Sequence, residues 1–174
     1  MSRSALLALM VVIAAACAGG KPSPAVVPEP ALAENAPKDA PVSASAANVS
    51  AMGKLLAPCV TKARAAFPAA ARRFRNGLPE GQSLFVVTVL HDSSGKFEQV
   101  FIAVDSIGKT DVYGRIWNQI TIVKGYQLKQ PYTVPESEII DWMISKPDGS
   151  EEGNWSGKFL DALQATGKAP SGIC

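Results

Sequence analysis

Leu84-Phe85-Val86-Val87-Thr88-Val89-Leu90-His91, followed by Asp92-Ser93-Ser94-Gly95 and a second apolar run over residues 97–105, decides the fold of this chain. Two stretches rich in β-branched and aromatic residues, joined by a short cluster of turn formers, predict a β-hairpin. Residues 107–111 predict a second turn, and residues 112–118 a third strand thinned on one face by Gly114. Residues 120–123 are expected to continue the sheet after a bend. Residues 132–134 and 139–144 predict two further strands, separated by Pro135-Glu136-Ser137.

Upstream of the hairpin the period changes. Leu55, Leu56, Val60, Ala63, Phe67, Ala71 and Phe74 recur near helical spacing, while Lys54, Lys62, Arg64, Arg72, Arg73 and Arg75 supply a basic face. This pattern predicts one helix or a helix pair broken at Pro58 or Pro68, ending at Gly77-Leu78-Pro79. Downstream, Ser156 is the expected N-cap of a short helix over residues 157–166, with Trp155 stapled onto Leu160. A helix followed by short antiparallel strands indicates an α+β fold. The expected form is an N-terminal helix or helix pair packed on a curved antiparallel sheet or small half-barrel of about five strands, with a short C-terminal helix.

The first 50 residues belong to something else. Arg3, an apolar run over residues 5–16 and Cys17 have the layout of an export signal. The run would rise only ~18 Å as a helix, short of the ~30 Å hydrocarbon core, so it does not predict a membrane span. Ala14-Ala15-Ala16 before Cys17 resembles a lipobox, which implies acylation of Cys17, and Ala18 after it resembles outer-membrane retention signals. Residues 18–50 carry six prolines and no aromatic residue, the composition of a disordered tether. Extended as polyproline II, such a tether reaches on the order of 100 Å. The domain is therefore expected over residues 51–174, in the periplasm and anchored to the outer membrane.

Charge and cysteine content narrow the function. Seventeen Lys and Arg stand against fifteen Asp and Glu, too even a balance for a nucleic-acid binder that relies on many phosphate contacts. One histidine and three cysteines leave little material for a catalytic triad or a zinc cage, and neither a cofactor nor a metal is expected. His91 reads as a surface residue at a strand end. With Cys17 acylated, Cys59 and Cys174 remain as a pair in an oxidising compartment, which predicts a disulfide.

Asp141, Asp148, Glu151 and Glu152 form the acidic cluster. A carboxylate pair would suit glycoside hydrolysis, but residues 147–155 read as a wet, Gly-containing loop without the desolvation that raises an acid's pKa. The spacing is not that of a calcium-binding helix–loop–helix. As a recognition loop, the same stretch offers Asp148, Glu151 and Glu152 to a basic partner, Asn154 for hydrogen bonds and Trp155 as an anchor. Trp117, Trp142 and Trp155 with Tyr113, Tyr126 and Tyr132 could form an exposed aromatic platform for glycan or peptide, but Trp142 is expected in the core, since strand aromatics usually fill the sheet face.

Glu98 and Val100, Gly114-Arg115-Ile116, the approach from Val123-Lys124-Gly125-Tyr126 to Tyr132-Thr133-Val134, Asp141-Trp142, and the run from Pro147 through Gly153-Asn154-Trp155 to Phe159 resemble the YegJ-like family. The resemblance covers residues 74–163. It implies a small α+β domain of unknown function without a known cofactor. Taken together, these features favour a non-catalytic, lipid-anchored periplasmic protein that binds another protein, foremost an immunity-type inhibitor of a secreted antibacterial effector. An envelope module binding peptidoglycan or outer-membrane components is the alternative, and a hydrolase working through the acidic stretch is the third class.

Overall fold

The computed structural model describes residues 46–174, with side chains from Ala51 onward; the signal segment, Cys17 and residues 18–45 of the tether lie outside them. The order is α1 (Ala46–Arg75), β1 (Ser83–His91), β2 (Phe97–Ile107), β3 (Asp111–Ile116), β4 (Pro131–Pro135), a 3-10 turn (Glu136–Glu138), β5 (Asp141–Ser145), β6 (Glu151–Gly153) and α2 (Trp155–Thr166). The strands form one open antiparallel sheet in the order β4-β3-β2-β1-β5-β6. This is the expected α+β arrangement of helix, sheet and short final helix.

The details differ from expectation in four places. First, α1 is a single helix with both prolines inside it, and it begins at Ala46, ahead of the boundary expected at residue 51. Pro58 and Pro68 each remove one N–H from the ladder, releasing the carbonyls of Lys54 and Arg64. All four residues are exposed, so water can take the place of the missing donors. Second, residues 120–123 form an irregular segment instead of a strand. Third, the sheet has a sixth strand, Glu151–Gly153, where a loop was expected. Fourth, α2 begins at Trp155, so Ser156 lies inside it and the N-cap position falls to Asn154.

The helix lies on the sheet because its small residues are aligned. Cys59, Ala63, Phe67, Ala70 and Ala71 are all nearly or wholly buried, and most of this stripe has no side chain beyond Cβ, which lets the backbone approach closely. Ala63, Phe67, Ala70 and Ala71 join Leu84, Val86 and Leu90 of β1 and Val100, Ile102 and Val104 of β2 in the main core. Gly77 ends the helix with φ +91, the left-handed conformation a helix C-terminus favours.

β1 is central, with β2 on one side and β5 on the other, and its residues 84–88 are buried on both faces. The face away from α1 carries a second, smaller cluster in which Phe85, Ala103 and Met143 are buried beneath Phe101 and Trp117. Phe85 meets Phe101 edge-on, with ring centroids 6.4 Å apart. An irregularity between Val104 and Ser106 shifts the β2–β3 register, a device that bends a strand.

The hairpin between β1 and β2 turns as the sequence predicts. Asp92 Oδ1 accepts hydrogen bonds from Ser94 N at 2.8 Å, Ser94 Oγ at 2.6 Å and Lys96 N at 3.1 Å. These bonds, the Ser94 hydroxyl foremost, hold its carboxyl down to a pKa of about 2. Asp92 Oδ2 also accepts from Lys124 N, joining this turn to the long β3–β4 connection.

That connection is fastened at its centre by Glu98. The carboxylate accepts hydrogen bonds from Thr121 N, Ile122 N and Val123 N, the shortest 2.7 Å, and from Thr121 Oγ1 at 3.0 Å. Burial pushes its pKa up, but the four donors outweigh burial and the net shift is downward. Ile120, Val123 and Tyr126 are thereby placed against the main core.

Candidate functional site

The residues expected to bind a partner lie on the β5–β6 hairpin and the first residues after it. β5 is buried along its whole length, which roots the hairpin in the sheet. Its turn closes through Lys146 N to Ser150 O at 3.0 Å and Gly149 N to Lys146 O at 3.0 Å. Gly149 takes φ +80, a conformation other residues adopt reluctantly. Asp148, exposed at the tip, accepts from Ser150 Oγ at 2.7 Å and Ser150 N at 2.9 Å, and these bonds lower its pKa. The stretch read as a flexible loop is thus a capped turn leading into a paired strand.

β6 then distributes its acids to opposite sides, as strand alternation requires. Glu152 lies opposite Ile144 and reaches Arg73 of α1 at 2.6 Å. Glu151 lies opposite Ser145, accepts from Asn154 Nδ2 at 3.1 Å and stands 3.8 Å from Lys158. The two glutamates therefore engage different partners on the two sides of the strand. The Glu152 side chain keeps 40 % of its surface accessible and that of Glu151 only 12 %.

Asn154 and Trp155 take structural positions. Asn154 is buried in the left-handed region, φ 52, with its N–H donated to Trp142 O at 2.8 Å. Trp155 is turned inward, edge-on to Trp142 at 5.3 Å, with Lys62 Nζ 5.5 Å from its ring centre. Trp142 in turn donates its indole N–H to Ala63 O at 3.0 Å. The expected staple of Trp155 onto Leu160 gives way to this contact, because Trp155 is itself the first residue of the helix.

Asp141 is wholly buried at the root of the hairpin. Its Oδ1 accepts from Trp142 N at 2.8 Å, and its Oδ2 accepts from both Ser156 N, at 2.7 Å, and Ser156 Oγ. A carboxylate facing the first turn of a helix complements its orphan N–H groups. Desolvation is nonetheless the larger influence and raises the Asp141 pKa, against the lowering effect of Ser156, Trp142 N and Lys158. Asp141 thus anchors α2 to β5, apart from the exposed acids of the hairpin.

Arg73, on the basic face read from the sequence, partners Glu152. Sequence reasoning missed two further contributors. Lys62 reaches both Trp155 and Ile173 O, the latter at 2.7 Å. Arg64 donates to Ile139 O at 2.8 Å and Ser137 O at 3.0 Å, standing between two shallow clefts of about 410 and 320 Å³. Each cleft sets Arg64 against a glutamate, Glu136 in one and Glu138 in the other, so neither presents a single sign of charge.

Cys59 and Cys174 are joined as a disulfide, and Cys174 Sγ lies 4.0 Å from Trp155 O. The segment after α2 is thereby brought back across α1. No group of three or more His, Cys, Asp or Glu placed to hold a metal ion occurs among the described residues. Comparison with protein-family models, with curated proteins and with solved structures returns no match for this chain.

Proposed function

We propose that this chain is a periplasmic, lipid-anchored, non-catalytic binding protein, and specifically an immunity-type inhibitor that captures a secreted effector through the β5–β6 hairpin. The supporting observation is the rigid display of acidic groups on that hairpin. Asp148 caps its own turn, Glu151 is braced by Asn154 and Lys158, and Glu152 is held by Arg73. Carboxylates fixed before binding lose less entropy when a basic partner arrives, and their field selects the partner's charge. Asn154 and Trp155 act in this reading as the hairpin's supports. The signal, lipobox and tether features of residues 1–50 supply the location in this reading.

The test separates recognition from folding. Asp148→Lys combined with Glu152→Lys is expected to abolish capture of the partner by tagged mature protein, with the melting temperature lowered by no more than about 5 °C. The thermal effect is limited because an exposed ion pair contributes only ~0–1 kcal/mol and the Asp148 bonds close a solvent-exposed turn. Arg73→Ala serves as a control, since it removes the brace and leaves the acids in place. Capture retained by the double variant would sink the proposal, and retention of the protein on purified sacculi would support the envelope-module reading instead.

Anchoring has its own test. Cys17→Ser is expected to move the protein from the membrane fraction to the soluble periplasm and to prevent incorporation of labelled palmitate. Unchanged fractionation with no label in the wild type would remove the lipid anchor from the proposal.

A further inference from the structure

Cys59 and Cys174 form one disulfide from two unequal environments. Cys59 has no accessible surface, lying in the buried stripe of α1, whereas Cys174 is exposed. Thiol–disulfide exchange requires a thiolate to reach one sulfur along the S–S axis, so access selects which sulfur is attacked. The surroundings show what the bond restrains. Ile173 O accepts from Lys62 Nζ at 2.7 Å, and Cys174 Sγ lies 4.0 Å from Trp155 O. Among the described residues, these contacts and the disulfide hold residues 171–174 across the junction of α1 and α2.

We infer that Cys174 is a thiol-exchange site for an external dithiol and that exchange there unlatches residues 167–174 without unfolding the domain. A thiolate of the dithiol attacks Cys174 Sγ. The Cys59–Cys174 bond breaks, a mixed disulfide forms on Cys174, and Cys59 leaves as a thiolate that takes up a proton. The second thiol of the reagent then attacks its own sulfur in the mixed disulfide and releases Cys174, which is protonated in turn. The dithiol is oxidised to its disulfide and the protein's disulfide is reduced by the same two electrons.

The opening stays local because α2 has other holds. Ser156 remains bonded to Asp141, Trp155 remains against Trp142, and Lys158 donates to Gly153 O at 2.7 Å. Lys62 loses the carbonyl that helps keep it over the Trp155 ring, and one side of that ring becomes accessible. α1, α2 and the sheet are otherwise unchanged.

The experiment uses the full mature chain and a protein with a Cys-x-x-Cys dithiol whose second cysteine is replaced by serine, so that the mixed disulfide is trapped. Peptide mapping is expected to place the adduct on Cys174 in roughly tenfold or greater excess over Cys59. With the intact dithiol, two thiols should appear while backbone amide protection of β1, β2 and β5 is retained and Trp155 becomes more accessible to acrylamide quenching. An adduct chiefly on Cys59, or reduction that proceeds only with loss of protection throughout the sheet, would overturn the inference. Cys59→Ser supplies a reference for the unlatched state in which quenching is expected to match that of the reduced wild type.

Discussion

Replacing Glu98 with alanine is expected to lower stability by about 3 kcal/mol, equivalent to a fall in melting temperature of roughly 10 °C for a domain of this size. Glu98 is 7 % exposed, and its carboxylate gathers three successive backbone N–H groups and one hydroxyl. Alanine leaves those donors without their acceptor; Val123 N is buried, where an unpaired donor costs about 1–3 kcal/mol, while the exposed Thr121 can turn to water. The β3–β4 connection would loosen, carrying Ile120 and Val123 away from the core. Glutamine is also expected to destabilise, because its NH₂ group places a donor where donors already converge.

Acid should reproduce part of this effect. The Glu98 pKa is lower in the folded protein than in the unfolded chain, so its contribution is present above the ordinary carboxylate range and is lost as pH falls through the folded value. Thermal melts of wild type and Glu98→Gln should therefore converge as the solution is acidified. A difference below about 0.5 kcal/mol at neutral pH would show that the connection is held by its apolar contacts instead.

Gly153→Ala is expected to have a comparable effect, concentrated at β6 and α2. Gly153 adopts φ +82, and a Cβ there would overlap Trp142 O and stand 3.0 Å from Cε3 of the Trp142 ring. A carbonyl committed to the sheet cannot retreat as a flexible side chain can. Together, the unfavourable backbone conformation and the collision are worth about 3 kcal/mol or more. Hydrogen exchange should show lost protection in residues 151–166 with β1, β2 and β3 still protected. Unchanged protection across that segment would mean that the backbone around Gly153 shifts to accommodate the added Cβ without releasing β6.

These positions also mark where the sequence could and could not be read. The β1–β2 hairpin was legible because apolar runs flank a compact turn, and the turn's Asp92 and Gly95 behave as their chemistry dictates. Glu98 passed unnoticed as a structural residue although it shares the core-facing alternation of Val100 and Ile102, a position where an acid signals a buried partner. Pro58 and Pro68 suggested a break because local propensity opposes them, but the apolar stripe on the other side of α1 prevailed. β6 was hidden by its brevity, with two charges and a glycine in three residues giving no strand period.

At the candidate site, the acidic stretch was legible as composition, but its division into a turn, β6 and the start of α2 was not. Asn154 lies in the left-handed region with its N–H on Trp142 O, and Trp155 packs edge-on to Trp142. The basic helix face was legible as composition alone. Its charge complementarity with the acidic stretch was foreseeable, whereas the particular partners, Arg73 and Glu152, follow from where α1 crosses near β6.

The outermost strands have a consequence for how any partner can attach. β4 begins and ends with proline, and β6 offers only Glu151–Gly153, two charged residues and a glycine. Neither margin presents the long row of unpaired amides and carbonyls that lets another chain extend a sheet. An incoming segment would find few main-chain hydrogen bonds to make and would have to be selected by side chains instead. The same blunt margins oppose the stacking of one copy on another, which matters for a chain that must reach its folded form beside many identical neighbours.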